Sequence, residues 1–598
     1  MEQFLVISSV TVSKQQGSDS VSIVSSFVSV PSDTDGRPDI TSTSNSIATV
    51  VTPGPSSVLN EQEQAQLNEG ISSLSIRDYI LQEISRSESV AAMVKNVGDV
   101  TKMIQNLEFA YTNVQEMLDR HNRFPTVEQR IKVYMSNWYT PPCDDSSRIS
   151  FRFSTTTEGK THVSLKEITL QQQQDEVIEN EKLNHKEQRI FRVHTATGSS
   201  RDLFDEIYYV DRELFLSVKH QYHKDIVEFF LPSLDKHLNN KTGTNNTTPI
   251  LYQFGDTRQP RSNMLHLEKG HDAKFTQLVR NPRFPVIQKV RTSLTAVQLA
   301  AFTDQQDCYH IDERRGIVSN DPFNNAYNRV RLEPITLKLK TRRHYGSIYK
   351  IAELDAVPWN EKKNMAIFRG ALTGSYPDSM GKAKLQQLSA LERCRLLPRC
   401  WLPYKHASSE LIDAKLSEPK VEGSNGPSKS TYPEEDKMIP RTITLNDENE
   451  IDANATKVEL FGEEKTKSEL LEYKALILLE GNDISSGLKW ALFSNSVVLM
   501  PEPTLTSWAM EEMLQPWIHY IPINLHKDYS RNGRTDVEEK MQWILENDDK
   551  AQQIVRASTL WIADLVLHPD VKKDETEIFD EVARRYLTHF VPTSGHPM

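Results

Sequence analysis

The stretch from Tyr473 to Met500 constrains the fold more than any other part of this sequence. Its pattern predicts a buried strand at Tyr473–Leu479, a small-residue loop at Gly481–Gly487, a helix at Leu488–Ser494 and a second buried strand at Val497–Met500. Strands joined through a helix in this way form a βαβ unit, and such units build parallel sheets covered by helices. The sequence therefore predicts an α/β protein.

The chain has 598 residues, which is too long for a single hydrophobic core. Shifts in composition and periodicity divide it into segments. We expect a disordered, Ser/Thr-rich leader at 1–70, a helical segment at 71–125, an N-terminal α/β domain at 126–345, a C-terminal α/β domain at 346–570 and a tail or helix at 571–598. A polar loop insertion at 421–454 interrupts the C-terminal domain.

Charge and hydropathy exclude several classes of protein. The net charge is -12 and no basic stripe stands out, so nucleic acid is not an expected partner. No apolar run approaches the roughly 20 residues that span a bilayer. The N-terminus, MEQFLVISSV, has no basic region before its short apolar stretch, and we recognise no signal peptide in it.

The cysteines are Cys143, Cys308, Cys394 and Cys400. None lies in a CxxC pair, so neither a structural zinc site nor thioredoxin chemistry is expected. Cys394 and Cys400 are close enough in sequence to pair, but we expect two buried thiols. Because so few cysteines cannot form a disulfide framework in so long a chain, they leave the compartment open.

The loop at Gly481–Gly487 is the first candidate site. Ser485 and Ser486 can donate hydroxyl hydrogens there, and Lys489 adds a positive charge in the first turn of the predicted helix. Helix N-termini bind phosphate because their N–H groups are unpaired. The alternative, which we favour for this stretch alone, is a plain βα turn with a serine cap.

Two further candidates follow predicted strands. Arg369 and Gly370 end a strand in PWNEKKNMAIFRG, where ligands of open α/β sheets bind and an arginine suits phosphate. Asp256 follows the strand Ile250–Phe254 and a glycine, where a carboxylate could take a proton from a hydroxyl. The alternatives are a surface ion pair for Arg369 and a turn aspartate for Asp256.

A fourth candidate is Glu511, within EPTLTSWAMEEMLQPWIHYIPIN. We expect Trp508, Met510, Trp517 and Tyr520 to build a wall beside it, with Glu511 binding ribose hydroxyls. The alternative is a core edge with a solvated glutamate. His519 is expected to be structural.

Taken together, these strings resemble glycosyltransferase family 90. The resemblance is carried by PWNEKKNMAIFRG, ERCRLLPRCWLP with LIDAKLSEPK, EGNDISSGLKWALFSNSVVLMPEP, SWAMEEMLQPWIHYIPIN and DVEEKMQWILENDDKA. Fainter matches are WYTPPC and FGDTRQ. The resemblance covers residues 130–570 and is strong after residue 355.

The resemblance implies a GT-B fold, in which two Rossmann-like domains face a cleft. It also implies an inverting enzyme that moves glucose or xylose from a UDP-sugar to a hydroxyl, with no metal ion or other cofactor. By the same resemblance, Asp256 is the catalytic base, and the donor contacts are Arg369, Gly370, Ser485, Ser486, Lys489 and Glu511. The compartment it implies is the endoplasmic reticulum or Golgi lumen, although the missing signal peptide leaves the cytoplasm open.

One departure from the family pattern is Gly487, where protein O-glucosyltransferases carry an arginine. The sequence around Gly487 is closer to that of the bacterial and capsule-type members, so the acceptor is expected to be a glycan or a protein. Other functions remain open. The chain could be an inactive family member that binds a glycan or a partner, or a cytosolic nucleotide-binding scaffold.

Overall fold

The protein is described from a computed structural model. The structure describes residues 74–86, 97–144, 148, 226, 230–239, 285, 287–294, 308, 334–338, 346–374, 376, 382–417, 439–444, 457–527, 529–530 and 532–590. Elsewhere it describes only the backbone of several strands. The chain divides into two compact units, one of 1–97 with 113–115 and one of 98–112 with 116–598.

The helices, labelled in chain order, begin and end as follows. They are α1 (Ile76–Arg86), α2 (Val97–Ala110), α3 (Val114–Asp119), α4 (Val127–Met135), α5 (Leu231–Asn239), α6 (Ile351–Leu354), α7 (Lys382–Gln387), α8 (Ala390–Arg395), α9 (Pro398–Lys405), α10 (Lys467–Leu470), α11 (Leu488–Leu492), α12 (Asp536–Glu546), α13 (Asp548–Val566) and α14 (Val571–Thr588). Capping boxes, in which a Ser or Thr and a Glu or Gln satisfy each other's main-chain N–H groups, start α4, α8, α10 and α12.

The strands are numbered in the same way. They are β1 (Gln3–Gln15), β2 (Ser18–Ser29), β3 (Ser44–Ser46), β4 (Phe151–Thr155), β5 (Thr161–Leu165), β6 (Arg189–Arg192), β7 (Tyr208–Val210), β8 (Ile250–Gln253), β9 (Leu265–Leu267), β10 (Gln277–Val279), β11 (Ile287–Gln288), β12 (Val290–Thr292), β13 (His310–Asp312), β14 (Gly316–Val318), β15 (Ile335–Thr336), β16 (Lys363–Gly370), β17 (Ile412–Ser417), β18 (Thr442–Thr444), β19 (Lys457–Glu459), β20 (Phe461–Gly462), β21 (Tyr473–Ile477), β22 (Val497–Met500), β23 (Leu505–Ser507) and β24 (Ile521–Pro522).

The first unit contains an antiparallel sheet of β1, β2 and β3, and helix α1. Only the backbone of these strands is described. The disordered leader expected at 1–70 stays a prediction, as do the other proposed domain boundaries.

The centre of the second unit is a six-stranded sheet with the order β20-β17-β16-β21-β22-β24. All of its paired strands are parallel. Numbered along the chain, the order is third, second, first, fourth, fifth, sixth, which is that of dinucleotide-binding, doubly wound sheets. The α/β prediction is confirmed.

The βαβ unit predicted from Tyr473 onward is present. The first strand ends at Ile477 instead of Leu479 and the helix ends at Leu492 instead of Ser494, while the second strand matches at Val497–Met500. All five residues of β21 are buried, as expected for a central strand covered on both faces.

One face of this sheet forms the main hydrophobic core. Alternate residues of β16, β17, β21 and β22 contribute Ala366, Phe368, Ala414, Leu416, Ala475, Ile477, Val497 and Leu499. Helices α8 and α9 cover this face through Cys394, Cys400 and Leu402, and α12 covers it through Val537, Met541 and Ile544.

A smaller sheet lies in the N-terminal half of the second unit, with the order β15-β11-β8-β7. Its β15, β11 and β8 are parallel and β7 is antiparallel. The strand predicted at Ile250–Phe254 is observed as β8, and β4 pairs with β5 in an antiparallel hairpin. A two-domain GT-B arrangement stays a prediction.

Buried ion pairs connect this N-terminal half to C-terminal elements. Arg130 Nη1 lies 2.7 Å from Asp574 Oδ2, and Lys338 pairs with Glu575. Helix α14, which carries both carboxylates, packs against α4 and α5. Because a buried charge without a partner is very unfavourable, these pairs fix the docking of α14.

The prediction of free thiols is wrong. Cys394 and Cys400 form a disulfide with their Cα atoms 5.1 Å apart, and Cys143 forms another with Cys308 at 4.7 Å. Cys394 lies in the last turn of α8 and Cys400 in α9, and the tight turn between these short helices brings the sulfurs together. Sequence spacing alone does not show this turn.

Within the described ranges, no helix has both the length and the apolarity to cross a bilayer.

Candidate functional site

The strand order reverses between β16 and β21, and ligands of open α/β sheets bind at such a switch point, beyond the carboxyl ends of the strands. Two loops leave the sheet there. Loop A is residues 371–374, after β16, and loop B is residues 478–487, after β21. Gly370, Ser485 and Ser486 lie on or beside these loops, as predicted.

The two loops approach each other closely. A Cβ atom at Gly481 would lie 2.5 Å from Thr373 Oγ1 and 3.1 Å from Arg399 Nη2. A Cβ atom at Gly370 would lie 3.3 Å from Arg399 Nη1. The amide of Gly374 also donates to Asn482 Oδ1 at 3.0 Å. Glycines at 370 and 481 therefore allow the Thr373 and Arg399 side chains to approach the main chain more closely than a larger residue would.

Arg399, in the first turn of α9, lies between the loops. It donates to the carbonyl of Ala371 in loop A at 3.2 Å, and to those of Leu479 and Glu480 in loop B at 2.7 and 3.1 Å. Sequence reasoning missed this residue. Its acceptors are main-chain atoms distant in sequence, and no side-chain pattern marks them.

Loop B is also held from its other side. Glu480 accepts hydrogen bonds from the Thr504 hydroxyl and from the amides of Thr504 and Leu505, the latter two at 2.8 and 3.1 Å. Lys289 Nζ lies 2.7 Å from Asp483 Oδ2. Ile484 packs with Val290 and Leu505 in a small buried cluster. Loop B is thus ordered by contacts along most of its length.

The helix that follows loop B begins later than a serine cap requires. Helix α11 is five residues long and its N-cap position is Gly487, with no capping side chain. Ser485 is half-buried and Ser486 is exposed. The alternative of a serine cap is therefore wrong, and the two hydroxyls do not cap this helix.

Lys489 and Glu511 form a buried ion pair. Nζ of Lys489 lies 2.8 Å from Oε1 of Glu511, and each side chain is 1% exposed. Glu511 Oε2 also accepts from the Ser507 amide at 2.6 Å. Burial raises the pKa of Glu511, but the Lys489 ammonium and the Ser507 hydrogen bond outweigh it, so the pKa is lowered overall. The expectation that Glu511 could be a solvated glutamate is wrong.

Arg369 lies on the sheet face opposite the main core, because it alternates with Phe368. Its Nη2 is 2.8 Å from Asp413 Oδ1, and its Nη1 donates to the Asp413 carbonyl at 3.1 Å. Tyr473 donates to the same carboxylate at 3.1 Å. Arg369 thus forms an ion pair with Asp413 on the neighbouring strand β17, which agrees with the ion-pair alternative. Its predicted contact with the donor stays a prediction.

The aromatic wall is present only in part. Trp508, Met510 and Tyr520 are buried, whereas Trp517 is 40% exposed. His519 is buried and accepts a hydrogen bond from the Gln515 amide at 2.9 Å through Nδ1. Burial lowers the pKa of His519 to about 4, so it is neutral at physiological pH. The expectation that His519 is structural stays a prediction.

The predicted base, Asp256, lies outside the described residues. Its role, and its position relative to loops A and B, stay predictions.

Comparison with known proteins shows a family match for the C-terminal part of the chain. Residues 434–591 match the family model for glycosyl transferase family 90. The resemblance to family 90 is confirmed over this segment. The matched segment contains loop B, Lys489 and Glu511, whereas loop A and Arg369 precede this segment.

Similarity to individual proteins covers shorter stretches. The chain is 30% identical to the O-glucosyltransferase LpsA of Dichelobacter nodosus over 124 residues, which is 20% of this chain and 35% of the relative. It is 28% identical to protein O-glucosyltransferase 3 of Rattus norvegicus over 121 residues, 20% of this chain and 22% of the relative. The chain thus spans about a third or less of these relatives.

Proposed function

We propose that the protein is an inverting glycosyltransferase that moves glucose or xylose from a UDP-sugar to a hydroxyl of a glycan or protein. The observation that carries this proposal is the match of residues 434–591 to family 90, in a segment that includes the ordered loop B at the sheet's switch point. The names of the two relatives support glucosyl transfer.

In the proposed reaction, the acceptor oxygen forms a bond to the anomeric carbon as the bond from that carbon to the diphosphate oxygen breaks. The diphosphate leaves with the bonding electrons, and the Asp256 carboxylate takes the acceptor proton. Attack opposite to the leaving group inverts the anomeric configuration.

The donor diphosphate is proposed to lie against loops A and B. Main-chain N–H groups of such loops bind anions, and Ser486 presents an exposed hydroxyl beside them. Lys489 and Glu511 are buried against each other. They are therefore proposed to act on the donor indirectly, by supporting the structure next to loop B. No metal ion is part of this proposal.

The compartment is proposed to be oxidising, such as the lumen of the endoplasmic reticulum or Golgi. Both described disulfides support this, because such bonds persist in oxidising compartments and are rare in the cytosol.

The test is a panel of UDP-sugars with the full chain, read as UDP release and as a thermal shift. UDP-glucose or UDP-xylose should raise the unfolding temperature and release UDP, and EDTA should not reduce the rate. Asp256→Asn should abolish release and keep the thermal shift. No shift and no release with any UDP-sugar would contradict the proposal and favour a binding protein without activity.

A further inference from the structure

We propose that Arg399 is a positioning residue that holds loops A and B in the conformation that accepts the donor diphosphate. This inference rests on the proposed function for its ligand. The geometry that carries it is the three hydrogen bonds from one guanidinium to carbonyls of both loops.

The first step is mechanical. Ala371 lies in loop A, whereas Leu479 and Glu480 lie in loop B, so Arg399 joins segments that the sheet alone leaves separate. An arginine can do this because its planar head carries five N–H groups that point in fixed, different directions. A lysine ammonium is a single compact centre and cannot span the same acceptors.

The second step is electrostatic. Carbonyl oxygens at the carboxyl ends of strands carry partial negative charge, which repels an anion. Arg399 covers three of these oxygens and adds a full positive charge between the loops. It therefore favours a diphosphate without touching it.

The third step concerns how Arg399 is itself held. Its neighbour in sequence, Cys400, is bonded to Cys394, and both cysteines are fully buried. The disulfide ties α9 to α8, and the glycines at 370 and 481 leave room for the guanidinium. A side chain placed by a covalent link and by packing is preorganised.

The experiment compares Arg399→Met and Arg399→Lys with a matched control, Arg393→Met. Arg393 lies one helix earlier and also donates to two main-chain carbonyls, those of Leu385 and Leu388, which belong to neither loop. Four quantities are measured for the full chain. They are the Kd for UDP, the KM and kcat for UDP-glucose, and amide hydrogen exchange in residues 371–374 and 478–483 of the ligand-free protein.

For Arg399→Met we expect faster exchange in both loops and a Kd for UDP raised roughly 10- to 100-fold, with KM rising more than kcat falls. Arg399→Lys should restore only part of the protection from exchange and only part of the affinity. Arg393→Met should change the Kd less than about twofold, which separates loop positioning from general destabilisation.

Wild-type exchange and UDP affinity in Arg399→Lys would overturn the inference, and so would equal losses in Arg393→Met. If the wild-type chain binds no UDP, the proposed function fails, and loop exchange alone decides whether Arg399 positions the loops. If UDP binds but the exchange is unchanged in both Arg399 variants, the inference fails and the proposed function stands.

Discussion

Lys489 and Glu511 neutralise each other in the interior, with Nζ 2.8 Å from Oε1 and each side chain 1% exposed. Neither charge is left facing solvent. The sequence suggests Lys489 and Glu511 as two separate donor contacts, but in the structure they form one ion pair. Removing either charge therefore leaves the other buried without its partner.

Replacing Lys489 by Met should therefore destabilise the protein by about 3–5 kcal/mol, because Glu511 would remain as an uncompensated buried charge. Urea unfolding measures this change. The double variant Lys489→Met/Glu511→Gln should recover part of the loss. The control is Lys363→Met, which breaks a pair with Glu472 in which both side chains are well exposed, and it should cost less than about 1 kcal/mol. Equal losses from both single variants would contradict the buried-pair interpretation.

Gly481→Ala should lower the unfolding temperature and weaken UDP binding. The added Cβ would lie 2.5 Å from Thr373 Oγ1, so either the Thr373 side chain must rotate or loops A and B must separate. The φ angle of Gly481 is not in the left-handed region, which means that the effect comes from the clash alone. Adding Thr373→Ala removes the nearest atom and should restore part of both quantities. A single variant with unchanged affinity and unfolding temperature would show that the loops tolerate separation.

Stability should rise as the pH increases from about 4 to about 6.5. Burial lowers the pKa of His519, His568 and His589 to about 4. Over this window the unfolded chain binds more protons than the folded chain, so rising pH favours the folded state. Each histidine contributes up to about 3 kcal/mol to this rise.

His589→Gln tests this account, since the amide can replace the hydrogen bond that His589 Nε2 makes to the Trp138 carbonyl at 2.8 Å. The variant should show a smaller change in the urea midpoint across the window. Asp564 acts in the opposite direction, because burial raises its pKa to about 6. A wild-type midpoint that falls with rising pH would contradict the prediction.

Breaking the two disulfides should have unequal effects. Cys143–Cys308 spans 165 residues and Cys394–Cys400 spans 6. A longer closed loop restricts the unfolded chain more, so the Cys143→Ser/Cys308→Ser variant should lose about 5 kcal/mol and the Cys394→Ser/Cys400→Ser variant about 2 kcal/mol. Guanidinium unfolding of both variants, with wild type in reductant as a control, gives the comparison. The reverse ranking would show that local packing outweighs loop entropy.

Sequence periodicity predicted the central strands of the sheet, but neither the strand order nor the contacts above it. The strands β21 and β22 were predictable because each is a short apolar run flanked by small residues. The strand order follows from contacts between segments far apart in sequence, which periodicity does not contain. For the same reason the disulfide pairing, which depends on the turn between α8 and α9, could not be derived.

The position of the candidate site was predictable from sequence, but the partners of its charged residues were not. A glycine-containing loop after a buried strand marks the switch point, and Gly370 and loop B lie there. The partner of Arg369 is Asp413 on a neighbouring strand, and the partner of Lys489 is Glu511, which follows β23. A charged residue in sequence does not show which opposite charge will neutralise it, so both looked available for a ligand.

The bond between Cys143 and Cys308 makes the intervening chain a covalent ring. A protease that cuts once anywhere between these cysteines leaves both products attached, and they separate only on reduction. A nicked molecule would thus migrate as full-length protein on a non-reducing gel. The disulfide therefore keeps the two fragments of a singly cleaved chain covalently joined.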